Sequence, residues 1–305
     1  MTTNELMTAW LDRCERERVK PRTYSRYKGL IVQHILPELG DTQIDDLGRR
    51  QISEFLIAHQ ADGNLRGGEA LSATSTNLML TVLNAAFTYA CDMELLPANP
   101  CDRIRRVPGP PSQVEAFTRE EQRRLEEAIA VSEDIRLCLY TGLRIGELLG
   151  LEWQDVDMEK GILHIQKTVY REKNAEGEWQ LFVDRPKTAA SERMVPLPGY
   201  LAEDLRIYRR GARSGFVIEN KKAERMSIRS YQYLFERLTG KAGVRKLNFH
   251  ALRHTFATRA LECGMDIKTL SELMGHKNAT ITLNRYAHSM MDTKIAAMNK
   301  LEKLF

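Results

Sequence analysis

The sequence contains no apolar run that approaches the ~18 residues required by a membrane-spanning helix. Its first residues, Met1 to Glu5, lack the basic and apolar regions of a secretory signal. Only 5 cysteines are present, and they are too scattered to form the close pairs of a metal site. These absences predict a soluble, cytoplasmic protein whose cysteines are reduced.

The excess of positive over negative charge is also small. The formal net charge is +4 over 305 residues, which alone does not favour a nucleic-acid partner. The positive excess lies after residue 110, where the reactive motifs described below are also found. This distribution suits a polyanionic partner. The length favours two domains, because a single hydrophobic core seldom serves more than about 250–300 residues.

The first hundred residues have the apolar spacing of helices. Thr3 is predicted to cap the first helix, Pro21 to interrupt it, and Pro37 with Gly40 to end the second. The predicted helices after Pro21 extend over residues 24–36, 49–59 and 74–93. Together they indicate a small four-helix bundle.

Prolines number only 10, and 5 of them lie between residues 97 and 111. This concentration predicts an extended linker at 108–116, between a first domain of residues 1–107 and a second of residues 117–305. Polar side chains at helix starts and before the linker are candidate contacts to DNA phosphates, with an ordinary solvated surface as the alternative. These candidates are Arg22, Thr23, Arg26, Ser75, Thr76, Arg103, Arg105 and Arg106.

The second domain combines two periodicities. Thr118 and Glu121 form a capping-box pattern that predicts a helix over 118–131, and a further helix is predicted over 134–151. Alternating residues predict a three-stranded antiparallel sheet formed by residues 161–170, 179–183 and 193–197. Helical spacing resumes at Tyr200 and continues to the C-terminus. The predicted fold class is mainly α with a small antiparallel β-sheet.

Two arginines stand in motifs far apart in the sequence. Arg144 lies in TGLRIGEL at 141–148, and Arg253 lies in HALRH at 250–254. A guanidinium can donate two parallel hydrogen bonds to the oxygens of a phosphodiester and stays protonated at any working pH. Two such groups could stabilise the transition state of phosphoryl transfer without metal ions.

A tyrosine, two histidines and a lysine supply the remaining chemistry. Tyr286 is the candidate nucleophile, and a phenol with a pKa of about 10 needs a neighbouring base or positive charge to attack phosphorus. His250 is the candidate acceptor of its proton, and His276 is the candidate donor to a phosphate oxygen. Lys187 is the candidate acid for the leaving alkoxide. Taken singly, each residue also has an ordinary structural interpretation.

The histidines admit a second interpretation. His250 and His254 are spaced as the zinc ligands of helical zinc proteases are. Ala251 occupies the position of the glutamate that such a motif requires, and no third ligand has a convincing spacing, so a zinc hydrolase is disfavoured. A structural role for His254 is also open, because Leu252 and Phe256 predict a helix with one buried side.

Five motifs follow one another along the chain, namely TGLRIGEL at 141–148, Lys187, HALRHTFAT at 250–258, LMGH at 273–276 and YAH at 286–288. In this order they resemble the tyrosine recombinase (phage integrase) family. ILPELG at 35–40 and PANPC at 97–101 resemble the core-binding domain of that family, so the resemblance covers nearly the whole chain. The spacing from His276 to Tyr286 and the hairpin before Lys187 are most similar to integrases of conjugative transposons and related phages.

The resemblance implies an N-terminal helical core-binding (SAM-like) domain and a tyrosine-recombinase catalytic domain that close around double-stranded DNA. It also implies a 3′-phosphotyrosyl intermediate, a Holliday junction, a synaptic tetramer, and no metal or nucleotide cofactor. Glu147 is implied as a supporting acidic residue. The implied catalytic set is Arg144, Lys187, His250, Arg253, His276 and Tyr286.

An apolar stripe at helical spacing, formed by Met291, Ile295, Met298, Leu301 and Phe305, lies at the end of the sequence. Packing on its own domain would explain it, whereas the family resemblance favours exchange of this C-terminal helix between the subunits of a tetramer. Accessory DNA-bending or excision factors are further partner candidates. Many family members carry an additional arm-binding domain before the core-binding helices, at which the present sequence begins.

These features predict a site-specific DNA recombinase (integrase) that integrates or excises a mobile element at its recombination sites. A type IB topoisomerase-like enzyme, which nicks and reseals one duplex, shares the chemistry and is one alternative. A DNA-binding protein that never cleaves is the other. One sequence identifies neither the target site nor the direction of the reaction, since base contacts depend on how the protein is placed in the groove.

Overall fold

The computed structural model describes residues 1–62, 70–109, 115–128, 133–173, 177–185 and 192–286, with residues 295 and 298. The chain divides into two compact units, Met1–Ser112 and Gln113–Phe305, and each has its own hydrophobic core. Within the described residues, no helix has the length and apolar character needed to cross a membrane. Residues 110–114 of the predicted linker lie outside the described residues.

The first unit is built from helices, as the sequence predicts. They are α1 (Thr3–Arg16), α2 (Pro21–Leu30), a π-helical turn (Ile31–Ile35), α3 (Leu36–Leu39), a 3₁₀ turn (Ile44–Asp46), α4 (Arg49–Asp62) and α5 (Ala73–Asp92). The helical run after Pro21 continues through Pro37, because Pro37 stands in the first turn of α3, where its missing N–H costs nothing. The predicted stop is therefore wrong for Pro37 and correct for Gly40, which follows the last residue of α3.

Capping explains where the first helix begins. The Thr2 hydroxyl accepts a hydrogen bond from the Glu5 backbone N–H at 3.2 Å, and the Glu5 carboxylate accepts one from the Thr2 N–H at 2.8 Å. Thr3, the predicted cap, is buried, and its hydroxyl donates to the Thr42 carbonyl. The cap is thus one residue earlier than the sequence predicts. Helix α5 packs against α1 and α4 through buried residues such as Val82, and these helices form the core of the unit.

The second unit is mainly helical with two small sheets. Its helices are α6 (Arg119–Ala128), α7 (Glu133–Thr141), α8 (Ile145–Leu148), a 3₁₀ turn (Trp153–Asp155), α9 (Gly199–Arg210), α10 (Ile228–Lys241), α11 (His250–Glu262), α12 (Ile267–Met274) and α13 (Ala279–Tyr286). The capping box predicted for α6 is present, since Thr118 and Glu121 each bond the other's backbone N–H through the side chain. The prediction of a single helix over 134–151 is wrong, because the helical conformation is interrupted at Gly142, whose φ is +64°.

The strands are β1 (Val156–Asp157), β2 (Ile162–Ile165), β3 (Thr168–Lys173), β4 (Trp179–Asp184) and β5 (Arg193–Pro196). They form an antiparallel sheet in the order β1-β2-β5 and a separate hairpin of β3 with β4. The prediction that these segments form one three-stranded sheet is therefore wrong. The predicted strand 161–170 divides at Gln166 and Lys167, whose side chains bond Asp155 and Glu152 and thereby turn the chain between the two sheets.

Helix α11 contributes to both apolar clusters of the second unit. Its Leu252 belongs to the main core, and α11 packs closely against α7. Farther along α11, Ala257 and Leu261 form a smaller apolar cluster with Met274 of α12 and Tyr286 of α13. This cluster brings α12 and α13 onto α11 and so assembles the residues of the candidate site.

Candidate active site

A tight turn presents Arg144. Gly142 has left-handed φ, and a Cβ atom at this position would lie 2.5 Å from the Phe256 ring, so only glycine fits. After the turn, Arg144 caps α8, and its N–H and Nη1 donate to the two oxygens of Glu147 at 2.9 and 2.6 Å. The Arg144 side chain remains 36% exposed, which leaves it accessible to a ligand.

Arg253 is the most deeply buried residue of the predicted catalytic set within the described part of the chain, with 1% exposure. Its Nη1 donates to the Gly142 carbonyl at 2.7 Å and its Nη2 to the Met274 carbonyl at 2.5 Å. Burial, followed by the positive charge of Arg144, lowers the pKa of Arg253 to about 9. The guanidinium is still protonated at neutral pH, so it retains the charge that a phosphodiester requires.

Glu147 is held between two arginines. Its carboxylate is 3% exposed and accepts hydrogen bonds from both Arg144 and Arg193, the latter through Nη1 at 3.1 Å and Nη2 at 2.9 Å. Burial alone would raise the pKa of Glu147, but the hydrogen bonds and charge of Arg193, with the charge of Arg144, lower it to about 2. Glu147 therefore remains ionised and supports both arginines.

Arg193 was not among the residues predicted from the sequence. It begins β5 and faces the same side as the buried Val195, two positions later. The sequence did offer a signal for Arg193, namely an arginine on the inward face of a predicted strand. Such a residue needs buried hydrogen-bond acceptors, and this indicates a contact with the interior of the unit.

Three guanidinium groups converge on the C-terminal end of α12. Arg193 donates through Nε to the Leu273 carbonyl at 2.6 Å, Arg253 donates to that of Met274, and Arg144 donates through Nη2 to that of Gly275 at 3.1 Å. Cations are favourable here because the free carbonyls carry the negative end of the helix dipole. The arginines Arg144, Arg193 and Arg253 are called the arginine clamp below.

His276 comes directly after the three residues whose carbonyls the arginine clamp binds. Gly275 ends α12 in the left-handed conformation, with φ +61°, and the His276 N–H bonds the Ser271 carbonyl at 3.0 Å. The His276 ring lies 2.7 Å from the Thr282 hydroxyl, measured from Nδ1 to Oγ1. Thr282 is fully buried on α13, so this contact ties the histidine to the helix that carries the tyrosine.

Tyr286 is 2% exposed, and its Oη lies 2.6 Å from Nδ1 of His254. The sequence predicted His250 as the acceptor of the tyrosine proton, and it left a structural role for His254 open. The structure shows that His254 contacts the phenol, which makes it a further candidate acceptor, and the role of His250 stays a prediction. His250 is exposed at the start of α11, with its ring perpendicular to that of His254 at 4.7 Å between centroids.

Lys187, the predicted acid, lies outside the described residues. Within the described part of the chain, no group of three His, Cys, Asp or Glu side chains is arranged to hold a metal ion. The described geometry thus brings Arg144, Arg253, His276, Tyr286 and their supporting acid into one connected network, with His250 beside it.

Comparison with protein families identifies the family of the chain. Residues 111–293 match the model described as phage integrase family, and residues 2–57 match that of the phage integrase N-terminal SAM-like domain. The chain belongs to the phage integrase family. The family and the fold that the sequence motifs predicted are both confirmed.

Individual relatives agree with this assignment. The recombinase is 30% identical over 334 residues to a tyrosine recombinase XerC-like protein of Caldanaerobacter subterraneus subsp. tengcongensis, covering 100% of this chain and 84% of the relative. It is 29% identical to the transposase of transposon Tn916 from Enterococcus faecalis, covering 85% and 69% of the two chains. It is therefore a tyrosine-type DNA recombinase related to the integrases of conjugative transposons.

Solved structures add a close match in fold. The Tn1549 transposon integrase in complex with transposon right-end DNA superposes on this recombinase with a TM-score of 0.83 at 25% identity. The match covers 99% of this chain and 100% of that one. An N-terminal helical unit followed by a mainly helical unit with small sheets is thus shared across the whole chain.

The candidate DNA contacts of the first unit differ in accessibility. On α2 of the recombinase, Arg22 and Arg26 are exposed and Thr23 is half-buried. In the first turn of α5, half-buried Ser75 is bonded to Ser72 through its N–H and its hydroxyl. A phosphate could reach Arg22, Thr23 and Arg26 without rearrangement of the protein. To bind a phosphate, Ser75 would have to give up part of its capping contact with Ser72.

Thr76 is a correction to the prediction. Its side chain is fully buried, and its hydroxyl donates to the Ser72 carbonyl at 3.3 Å, as a threonine in a helix commonly does. It therefore contributes to the core of the unit and presents no group to a DNA backbone.

Arg103, Arg105 and Arg106 are exposed, as a role in binding DNA requires. Arg103 and Arg105 line one surface hollow together with Arg49 of α4, while Arg106 donates to the Thr81 hydroxyl at 3.4 Å. The hollow concentrates positive charge at one place on the first unit.

Proposed function

We propose that this recombinase cuts and rejoins DNA at specific sites through a covalent 3′-phosphotyrosyl intermediate formed by Tyr286. The observation that carries the proposal is the hydrogen bond between Tyr286 and His254, one residue from the buried cation Arg253. A phenol beside a base and a fixed positive charge is suited to attack phosphorus.

In the proposed step, the Tyr286 Oη forms a bond to phosphorus while the bond from phosphorus to the 5′ oxygen breaks. The phenol proton moves to Nδ1 of His254, and the departing 5′ oxygen takes a proton from an acid, for which we propose Lys187. Arg144 and Arg253 stabilise the charge on the non-bridging oxygens, and His276 donates to one of them. His250, beside His254 on the same face of α11, completes the proposed set.

The reaction class follows from the nucleophile. Because the phosphotyrosyl ester retains the energy of the broken bond, a 5′ hydroxyl from another strand can reverse the step without ATP. Two such exchanges between duplexes pass through a Holliday junction, which is part of the proposal. The relatives named as transposon integrase and transposase favour integration or excision of a mobile element as the biological outcome.

We further propose that residues 1–107 bind DNA, that 108–116 link the units, and that 117–305 catalyse the reaction. The exposed Arg22 and Arg26, together with the hollow of Arg103 and Arg105, supply positive charge for the phosphate backbone.

The active form is proposed to be a homo-tetramer on DNA in which C-terminal helices are exchanged. Ile295 and Met298, two residues of the apolar stripe, are 53% and 64% exposed, as a surface awaiting a partner would be. The other stripe residues lie outside the described residues. Deletion of residues 291–305 should preserve binding to a single half-site and weaken tetrameric complexes on DNA, measured by size-exclusion chromatography with light scattering.

A nicked suicide duplex carrying the element's own end tests the chemistry. Wild-type protein should form an adduct that survives SDS, while Tyr286→Phe should bind the duplex without forming one. Tyr231→Phe is a matched control, because Tyr231 is another buried tyrosine of the same unit. Absence of an adduct with wild-type protein would leave only DNA binding.

Two labelled duplexes then separate recombination from relaxation. Exchange of label between the duplexes should accompany adduct formation. Relaxation of supercoiled plasmid without any exchange would instead indicate a type IB topoisomerase-like activity.

A further inference from the structure

We propose that Arg193 is a positioning residue of the recombination reaction. It fixes Glu147 and the C-terminal end of α12 relative to each other, and thereby sets where Arg144 and His276 meet the scissile phosphate. The inference rests on the proposed function and assigns a role to a residue that carries no reactive chemistry itself.

Arg193 makes a two-sided connection. On one side, Nη1 and Nη2 bind both oxygens of Glu147, and on the other, Nε binds the Leu273 carbonyl at 2.6 Å. A planar guanidinium can hold this arrangement rigidly, whereas an ammonium cannot reproduce its fork geometry. The side chain is 6% exposed, so it is enclosed by protein and does not contact DNA directly.

The Glu147 side of the connection leads to Arg144. Each Glu147 oxygen is shared, since Oε1 accepts from Nη1 of both arginines and Oε2 accepts from Nη2 of Arg193 and the N–H of Arg144. A shift of the carboxylate therefore moves Arg144 directly. Arg144, which a phosphate can reach, is therefore positioned by Arg193, which a phosphate cannot reach.

The other side leads to His276. Leu273 is three residues before His276, and the next two carbonyls are held by Arg253 and Arg144. Without Arg193, the first of these three consecutive carbonyls loses its partner and the end of α12 can rotate away from β5. Displacement of a catalytic group by about 1 Å costs on the order of 100-fold in rate.

The experiment compares Arg193→Gln with Arg225→Gln on the nicked duplex. Arg225 is the matched control, because it is 12% exposed and also joins a backbone carbonyl, that of Leu149, to a carboxylate, that of Glu152. We expect Arg193→Gln to slow adduct formation about 100-fold. Its affinity for the duplex should change less than about threefold, because a buried side chain makes no phosphate contact.

Thermal denaturation of both variants accompanies the rate measurement. Equal losses of rate in Arg193→Gln and Arg225→Gln would overturn the proposal, because both losses would then reflect general destabilisation. If Arg193→Gln does not fold, Arg193→Lys decides the question. It preserves the charge, and we expect normal folding with about a tenfold slower reaction. A wild-type rate in Arg193→Lys would overturn the proposal.

The pH dependence supplies a readout that a purely structural role would not change. The charges facing Glu147 are Arg144 at the start of α8, Arg193 of β5 and Arg253 of α11. In Arg193→Gln, burial of Glu147 is less opposed, so its pKa should rise and adduct formation should decline as the pH falls toward acid values. Adding Glu147→Gln should remove that decline. A pH profile identical to that of the wild type would contradict the proposal.

Failure of this inference is distinguishable from failure of the proposed function. If wild-type protein forms no adduct, the proposed function fails, whatever Arg193 does. If wild-type protein forms the adduct and Arg193→Gln forms it equally fast, only the role of Arg193 fails.

Discussion

Tyr286 and His254 are 32 residues apart in the sequence, yet the phenol oxygen and Nδ1 of the imidazole lie 2.6 Å apart. The apolar cluster shared by α11, α12 and α13 supports this contact, because it buries the tyrosine on the helix that carries the histidine. This contact is the basis on which we propose His254 as a proton acceptor for the tyrosine within the same subunit.

Replacement of His254 tests whether this contact carries the proton. In His254→Asn, the amide oxygen can accept the hydrogen bond but cannot take up a proton, so we expect adduct formation to slow by about 100-fold or more while DNA binding is retained. The measurement is the single-turnover rate on the nicked duplex. His164→Asn, a change at an exposed histidine of β2, is the control. An unaltered rate in His254→Asn would show that the proton goes elsewhere.

Lys187 is expected to protonate the departing 5′ oxygen. Lys187→Ala should therefore be slow on ordinary DNA and recover on a duplex whose 5′ bridging oxygen is replaced by sulfur, because a thiolate leaves without an acid. Adduct formation on both substrates measures this. If the sulfur substrate does not restore the rate, the lysine has another role.

Gly142 shapes the turn that presents Arg144. Gly142→Ala should destabilise the second unit by about 2–4 kcal/mol, because left-handed strain is joined by a collision with the Phe256 ring. Gly264→Ala is a matched control, since Gly264 has φ +86° but no atom within 4 Å of an added Cβ. Urea unfolding should show the smaller loss for Gly264→Ala, and equal losses would mean that the collision is relieved by repacking.

The stability of the first unit should depend on pH through His34. Burial, followed by the neighbouring His59, lowers the pKa of His34, and Glu38 opposes this only in part. The unfolded chain, with a histidine pKa of about 6.5, then binds a proton that the folded unit does not. Stability should consequently be full above about pH 6.5 and decrease as the pH falls below it. Thermal unfolding followed at several pH values should show this decrease, and His34→Gln should reduce it; a decrease of the same size in the variant would assign it to other groups.

The structure brings together four residues that the sequence predicted to be reactive, but several of their contacts were not predicted. Arg144, Arg253, His276 and Tyr286 could be found because phosphoryl transfer restricts which residue types are useful, and because their motifs resemble those of a known family. The sequence could not show that His254 contacts the phenol, since residues one helical turn apart share a face and the contact depends on the position of α13.

Other errors arise from contacts between distant parts of the chain. The break at Gly142 depends on the Phe256 ring, and Arg193 matters because of Glu147 and Leu273. The division into two sheets likewise depends on Lys167 meeting Glu152 and Asp155. Local periodicity carries no information about such partners, whereas it does locate the helices of the first unit and the capping box of α6.

Helix α13 carries two of the described contacts on one face. Thr282, which meets His276, and Tyr286, which meets His254, are four residues apart and so lie one turn above the other. Withdrawal of this eight-residue helix would break both contacts in the same movement. We therefore expect the two contacts to be made together and lost together.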